Sequence, residues 1–174
     1  ARPRREDRQC GAVGVPQILA GDEFADQHDL FDKNGNVTQD GGKQVDPVNY
    51  SRLEEDWRGR IKDYVARLVK FRTTNDALAG NDTDFIHTDF FEKRVLAWRR
   101  GQADSDKMVV VLANFSDYGT PDPFNPRSEY RVNNWPATPP GKHWREITQQ
   151  RDIPPETVGR EPIFPWEAKV YTLV

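Results

Sequence analysis

The sequence predicts a mainly β protein, an antiparallel Greek-key β-sandwich preceded by one long amphipathic helix. Two observations support this fold class. After residue 77, short runs of β-branched and aromatic residues alternate with turn residues, which is typical of antiparallel sheets. Before that point, residues 46–76 place apolar side chains at steps of three and four, which is the helical period. We therefore divide the chain into residues 1–45, a helical segment 46–76 and a sandwich domain 77–174.

The sandwich prediction depends on seven short segments with high β propensity. Prolines crowd the connections between them, where a missing backbone N–H does least harm. No helical period separates one segment from the next, so we expect antiparallel neighbours rather than parallel crossovers. The predicted strands are residues 83–87, 94–99, 108–113, 129–132, 144–148, 161–164 and 168–173.

The helical segment should begin near Ser51, which forms a capping-box pattern with Glu54, and end near Arg72. We expect its apolar stripe to be buried, with Trp57, Tyr64 and Leu68 largely shielded from solvent. The stripe consists of Leu53, Trp57, Ile61, Tyr64, Val65, Leu68 and Phe71. The opposite face is charged, and we predict that it is solvated. It carries Glu54, Glu55, Arg58, Arg60, Lys62, Asp63, Arg67 and Lys70.

The composition excludes several classes of function. The formal net charge is -3 and the predicted isoelectric point is about 5.7, so neither nucleic acid nor an anionic membrane surface is an expected partner. Nineteen aromatic residues (nine Phe, five Tyr and five Trp) argue against disorder. A single cysteine, Cys10, excludes an intramolecular disulfide and favours a reducing, cytoplasmic setting, although the sequence leaves the compartment unknown.

Near the start of the chain, residues 14–23 (GVPQILAGDE) combine a short apolar run with two acids. Residues 15–18 are predicted to form a buried strand that stops before Gly21, where Asp22 and Glu23 follow at once. In a (β/α)₈ barrel, loops that follow the parallel strands carry the chemistry. A complete barrel needs roughly 250 residues, so 174 residues are too few for one. Without neighbouring barrel strands, residues 13–20 should lie against the long helix or pair with a second copy of the chain.

Four motifs in order along the chain resemble the C-terminal part of α-amylase family glycoside hydrolases. The first is residues 14–23, in which Gly14, Pro16, Gly21, Asp22 and Glu23 carry the resemblance to the last barrel strand. The second is the helix end 64–72 (YVARLVKFR) with its tail 75–78 (NDAL). The third is residues 109–116 (VVVLANFS), which are similar to a central sandwich strand and its corner. The fourth is the closing segment 163–171 (IFPWEAKVY).

The resemblance implies that residues 1–45 are a remnant of the barrel end and that the parent enzyme acts on an α-glucan or α-glucoside. Family members use an aspartate nucleophile, a glutamate acid/base and a second aspartate, all on strands that come before Gly14. No catalytic residue is therefore expected in these 174 residues, and the partner of the chain would be the missing catalytic barrel. A homodimer formed through residues 13–20 is an alternative assembly. No cofactor is expected.

Glu23 and Trp135 are the two candidate sugar contacts. Glu23 belongs to the family motif, and Trp135 is flanked by Asn133, Asn134 and Pro136, which favours an exposed ring. No metal site is expected. Residues 32–36 mimic the first ligands of a calcium loop, but Val37 and Lys43 occupy the positions that need Gly and Glu.

Two other functions stay open at this point. A free-standing carbohydrate-binding β-sandwich module would show exposed aromatic rings in a row. An interaction domain would use the charged helix face to dock on another protein. Aromatic side chains buried against the long helix would instead favour the enzyme fragment.

Overall fold

A computed structural model describes residues 11, 14, 17–26, 34, 48–89, 91–119 and 129–174, together with the backbone of 39–40 and 43–44. The described residues form two compact units. The first contains residues 1–16 and 68–174, and the second contains residues 17–67. The boundary falls inside the long helix, so this grouping differs from the predicted division at residues 45/46 and 76/77.

In the first unit, the described residues form a six-stranded antiparallel sheet in the order β3-β4-β5-β8-β6-β7. The mainly β prediction is confirmed. The strands are β3 (Thr83–Thr88), β4 (Val95–Arg100), β5 (Val109–Asn114), β6 (Trp144–Glu146), β7 (Arg151–Asp152) and β8 (Ala168–Leu173).

Both faces of this sheet are covered. β5 is buried along its whole length because successive side chains alternate between two apolar clusters. Val109 and Val111 pack on one face with Ala77, Leu78 and Trp98. The other face holds the larger cluster, which consists of Ile86, Val95, Ala97, Met108, Val110, Leu112, Tyr130, Val132, Trp144, Ile153, Ile163, Tyr171 and Leu173.

Two of the predicted strands do not form. Residues 129–132 and 161–164 are irregular, although Tyr130, Val132 and Ile163 bury their side chains on the sheet. An isolated backbone hydrogen bond from Val132 N to Gly159 O replaces a ladder, and Pro162 has no N–H to donate. The apolar residues of these two segments therefore predicted their burial correctly, but they did not predict the hydrogen bonding of the backbone.

The predicted strand 144–148 ends two residues early, at Glu146. The Glu146 carboxylate accepts hydrogen bonds from the backbone N–H groups of Thr148 (2.9 Å) and Gln149 (2.7 Å), which turns the chain away from the sheet. The chain then returns as β7, which the sequence did not predict because it is only two residues long.

The long helix is α1 (Asp56–Thr74). It does not begin at Ser51. A 3₁₀ turn (Tyr50–Glu54) comes first, and Asn49 caps it by accepting a hydrogen bond from Ser51 N. After α1, Asn75 caps a second 3₁₀ turn (Asp76–Leu78) that carries Ala77 and Leu78 onto the sheet.

The buried side of α1 agrees with the prediction in the second half of the helix, where Val65 and Leu68 are buried, and differs near its start. Leu68 is buried, and Tyr64 is half-buried, but Trp57 is 42% exposed and its neighbour Arg58 is only 4% exposed. Trp57 stays at the surface because its indole N–H binds Glu55 (2.7 Å), while the Arg58 guanidinium covers its ring. The prediction that Arg58 belongs to the solvated charged face is therefore wrong, because this side chain is buried.

In the second unit, the described residues also include a two-stranded hairpin of β1 (Gln39–Asp40) and β2 (Lys43–Gln44). The predicted calcium-like segment 32–37 lies outside the described residues except at Asn34. None of the described helices is both long and apolar enough to cross a membrane.

Candidate functional site

The predicted barrel strand is not formed where the structure describes it. Gln17 and Ile18 have no strand pairing, and Leu19 is largely exposed, while Val15 and Pro16 lie outside the described residues. The physical reason is that a single strand without neighbours has no ladder to join. Gly14 adopts a φ of +107°, and its carbonyl accepts a hydrogen bond from Arg72 in the last turn of α1 (2.8 Å). At Gly14 the segment therefore contacts the helix, which is one of the two predicted arrangements.

The acids of the family motif form a compact turn in the second unit, which we call the acidic turn (residues 21–26). Gly21 has a φ of +98°, and a 3₁₀ turn of Asp22–Phe24 follows. The Glu23 carboxylate accepts a hydrogen bond from the Gly21 N–H (2.8 Å). The glycine is required here, because a Cβ at Gly21 would lie 2.9 Å from the Asp26 Cβ. Glu23 is half-buried, so part of its carboxylate is used to hold its own turn.

Three side chains that the sequence did not single out fix the acidic turn. Asp26 accepts hydrogen bonds from Asn49 N (2.9 Å) and from the Arg52 guanidinium (2.6 Å). Arg58 donates to the Phe24 and Ala25 carbonyls. The contacts of Asp26 and those of Arg58 could not be predicted from local sequence patterns, because their partners lie more than twenty residues away along the chain.

The acidic turn can accept hydrogen bonds from a sugar hydroxyl, but it does not have the geometry of a retaining glycosidase. That chemistry needs two carboxyl groups about 5–5.5 Å apart on either side of the scissile bond. Asp22 and Glu23 are consecutive residues, and Glu23 is turned back onto Gly21. Its contact with sugar therefore stays a prediction.

Trp135, the second candidate sugar contact, lies in the first unit and is half-buried rather than exposed. Its ring meets those of Trp144 (5.4 Å between centroids) and Tyr171 (5.1 Å) edge to face. Trp98 and Trp144 are buried in the two apolar clusters. Three tryptophans, Trp98, Trp135 and Trp144, therefore contribute to the core instead of an open platform. Trp166 lies outside both clusters, and its indole N–H donates to the Asp117 carboxylate (2.6 Å).

The sequence also missed a cluster of charged side chains buried beside β6 and β8, which we call the buried charge cluster. Its members are Glu146, Arg151, Glu161, Glu167 and Lys169. Glu146 is fully buried and accepts hydrogen bonds from the turn that follows it and from Val170 N (3.3 Å). Its carboxylate therefore ties β6 to β8.

Glu161 and Lys169 occupy the centre of the cluster. Lys169 is 2% exposed. Its Nζ donates to the Pro162 carbonyl (2.6 Å) and lies 3.9 Å from the Glu167 carboxylate and 4.0 Å from the Glu161 carboxylate. Glu161 also pairs with Arg151 and accepts a hydrogen bond from Thr157 (3.1 Å). Each buried charge thus has a partner, as burial requires.

Burial raises the pKa of one member of this cluster, Glu167, and of two tyrosines beside it, Tyr130 and Tyr171. The pKa of the Tyr171 hydroxyl is raised well above its usual value by burial and then by Tyr130, Glu161 and Glu146. Burial, assisted by Glu161, likewise raises the pKa of Tyr130. The pKa of Glu167 is raised by burial, and the Phe164 N–H that it binds (2.8 Å) opposes this shift.

The two tyrosines provide a matched test of this environment. Tyr130 donates a hydrogen bond to the Glu161 carbonyl, whereas the Tyr171 hydroxyl is buried and has no hydrogen-bond partner among the described residues. Tyr130→Phe should cost about 1–3 kcal/mol at pH 7, because a buried carbonyl loses its donor. Tyr171→Phe should be close to neutral or stabilising at pH 7.

The same pair predicts how stability depends on pH. Because burial raises the folded-state pKa of both hydroxyls, the unfolded chain loses these protons first, above about pH 10, and each tyrosine then lowers the free energy of unfolding as the pH rises further. Each Phe variant should therefore lose less stability between pH 9 and pH 11 than the wild type. Urea unfolding at several pH values measures this, and parallel curves for the wild type and Tyr171→Phe would contradict it.

The buried charge cluster does not form an active site by its geometry. Glu146 and Glu161 are buried and Glu167 is half-buried, and all three carboxylates already accept hydrogen bonds within the protein. Within the described ranges, no group of three or more His, Cys, Asp or Glu side chains is arranged to hold a metal ion. The buried charge cluster instead stabilises the part of the sheet where β6, β7 and β8 meet the irregular segment 161–167.

No protein-family model matches this sequence, and no curated protein matches it.

Proposed function

We propose that this chain is the C-terminal part of an α-amylase-like glycoside hydrolase or transglycosidase that acts on α-glucosidic bonds. In this proposal, residues 1–45 derive from the end of the barrel, and the sheet unit is a Greek-key β-sandwich that supports the catalytic barrel. The chain is non-catalytic by itself.

The observation that carries the proposal is the contact between two of the four motifs. Residues 109–116 form β5 and its corner, and residues 163–171 form a turn and β8, and the two strands pair along their length. At the corner, the Asn114 side chain donates to the Phe164 carbonyl (2.9 Å), and Trp166 N donates to the Ser116 carbonyl (3.1 Å). Motifs about fifty residues apart thus build one structural feature, which is what a shared family fold would require.

The helix-end motif has a matching role. Residues 75–78 form the capped 3₁₀ turn whose Ala77 and Leu78 cover one face of the sheet, and Phe71 in the last turns of α1 packs against the same cluster. This supports a sandwich-like support domain that buries the end of the last barrel helix. On the other face, irregular segments around residues 130–135 and 153–163 take the place of a second sheet layer.

The lack of activity follows from the acids that are present. Asp22 and Glu23 lie in a turn that uses Glu23 for its own backbone, and the carboxylates of the buried charge cluster are paired. A glucan substrate would therefore bind to the missing barrel rather than to this chain.

The test compares two proteins from the same gene: residues 1–174 alone, and a longer protein that includes the reading frame preceding the codon for Ala1. Starch, maltose and an aryl α-glucoside are the substrates. We expect turnover by the longer protein only. An upstream frame that encodes no barrel would contradict the proposal. So would turnover by residues 1–174 that disappears in Asp22→Asn or Glu23→Gln, while glucan binding without turnover and without an upstream barrel would favour the carbohydrate-binding module.

A further inference from the structure

One edge of the six-stranded sheet combines a half-buried histidine with an irregular register. β3 is the edge strand, and among the described residues it pairs only with β4. The register between the two strands shifts between Phe85 and His87, as at a β-bulge. Ile86 belongs to the larger apolar cluster, and His87 pairs with Ala97 of the same cluster. Because directly opposite residues share one face of a sheet, two consecutive residues, Ile86 and His87, lie on the face of this cluster.

The surroundings of His87 favour the neutral form of its imidazole. The side chain is half-buried, and its Nε2 atom is buried with no hydrogen-bond partner among the described residues. Both ring nitrogens are donors once the ring is protonated, so protonation leaves a buried N–H without an acceptor. Such a group is unfavourable in an apolar setting. Burial accordingly lowers the pKa of His87.

Asp89, the carboxylate that acts on His87, is already engaged in the turn that follows β3. Burial lowers the pKa of His87 most, Asp89 raises it, and Lys93 lowers it further. The Asp89 carboxylate accepts hydrogen bonds from the backbone N–H groups of Glu92 (3.0 Å) and Lys93 (3.3 Å). On the paired strand, Ala97 opposite His87 carries no charge. A protonated His87 therefore either remains without an acceptor or draws Asp89 out of the turn, and both outcomes weaken the hairpin of β3 and β4.

β3 has fewer buried contacts than the strands beyond it. Three of its six residues are exposed, and Ile86 is its one fully buried residue. The neighbouring strands form their own ladder, in which β4 pairs with β5 and the fully buried β5 pairs with β8. An element with few buried contacts opens at a lower cost in free energy than the core does. Local opening of β3 would leave the edge of β4 unpaired.

We propose that β3 is a pH-sensitive flap, which separates from β4 when His87 is protonated. In the open form the imidazole meets water and has its usual pKa of about 6.5, whereas burial lowers the pKa in the closed form. The closed form is therefore fully stable above about pH 6.5 and loses stability as the pH falls from there towards the lowered pKa. Acid thus uncovers the edge of β4 and the side chain of Ile86. This inference does not depend on the proposed glycosidase ancestry.

Amide hydrogen exchange of the full-length protein at about pH 7.5 and about pH 5.5 tests this flap. Protection factors are compared, because they correct for the pH dependence of the chemical exchange itself. The Asp89 amide is the reporter, since it donates to the Val95 carbonyl (3.0 Å) across the hairpin. Its protection should fall by about three- to tenfold, where about ten is the ratio of protonated to neutral imidazole in the open form at the lower pH. Amides of β5 and β8 should change by less than about twofold.

Two histidine variants identify the group responsible. In His87→Gln the side chain cannot be protonated, so the Asp89 amide should keep the same protection at both pH values. His143→Gln, at an exposed histidine next to β6, should retain the wild-type fall. If His87→Gln does not fold, the NMR titration of the His87 ring in the wild type decides, and a pKa of about 6.5 or higher overturns the proposal. A fall below about twofold at Asp89, a fall that survives in His87→Gln, or an equal fall in β5 and β8 would also overturn it.

Discussion

Replacing Lys169 with methionine should destabilise the protein by about 3–5 kcal/mol, the cost of removing one partner from a buried ion cluster. Lys169 is the cation that lies within 4.0 Å of both Glu161 and Glu167, and it is 2% exposed. Without it, two shielded carboxylates face each other with less compensation, and the Pro162 carbonyl loses its donor. Chemical denaturation at pH 7 measures the loss.

Two further variants separate charge from packing. Lys142→Met, at an exposed lysine in the same unit, should change the free energy of unfolding by no more than about 0.5 kcal/mol. Adding Glu167→Gln to Lys169→Met removes one of the two carboxylates that lose this cation, keeps the Arg151–Glu161 ion pair, and should recover part of the stability. If Lys169→Met is as stable as Lys142→Met, the cluster does not contribute as described.

Replacing Leu68 with alanine should cost about 2–5 kcal/mol, the range for deleting a buried leucine side chain. Leu68 is 2% exposed and lies where α1 enters the first unit. Little relaxation is expected because the neighbouring turns of α1 are held by the packing of Phe71 and by the capped turn after Thr74.

The adjacent residue supplies the control. Val69 is 39% exposed, so Val69→Ala should be close to neutral, and alanine is also the better helix former. Thermal or urea unfolding of both variants checks the difference. Equal stability of the Leu68 and Val69 variants would show that this side of the helix is not a core face.

The sequence predicted the central strands well because their signal is local. β8 occupies the predicted residues 168–173, and β4 and β5 differ from the prediction by one residue at each end. Runs of valine and alanine between turn residues can be satisfied only in a strand that is covered on both faces. The last turns of α1 were predictable for the same reason, since Leu68 and Phe71 keep the helical period.

The failures share a different cause. Residues 129–132 and 161–164 have the composition of strands, but their backbone groups do not form a strand ladder. The Val132 N–H, for example, donates to the Gly159 carbonyl in a turn. Trp57 was expected to be buried and Arg58 to be exposed, but the structure shows the reverse. The Arg58 guanidinium covers the Trp57 ring and also donates hydrogen bonds to the Phe24 and Ala25 carbonyls. Hydrophobic periodicity describes side-chain transfer to an apolar core and contains no information about such polar partners.

The candidate sites were harder to predict than the fold. The acidic turn was found as a motif, but its fixing residues Asp26 and Arg58 were not, since their partners are distant in sequence. The buried charge cluster was missed altogether, because charged residues are normally assigned to the surface. A buried lysine becomes visible only when its carboxylate partners are placed around it.

The strand order has a consequence for how the protein folds. β8 lies between β5 and β6, so among the described residues the meander β3-β4-β5 and the hairpin β6-β7 pair with each other only through β8. During synthesis, both pieces emerge from the ribosome before the strand that joins them, each with an unpaired edge and an uncovered apolar face. Sheet closure must then wait for contacts that are distant in sequence, which makes folding slow relative to a helical protein of the same size. A nascent chain that pauses before residue 168 is thus the species that most needs protection from aggregation.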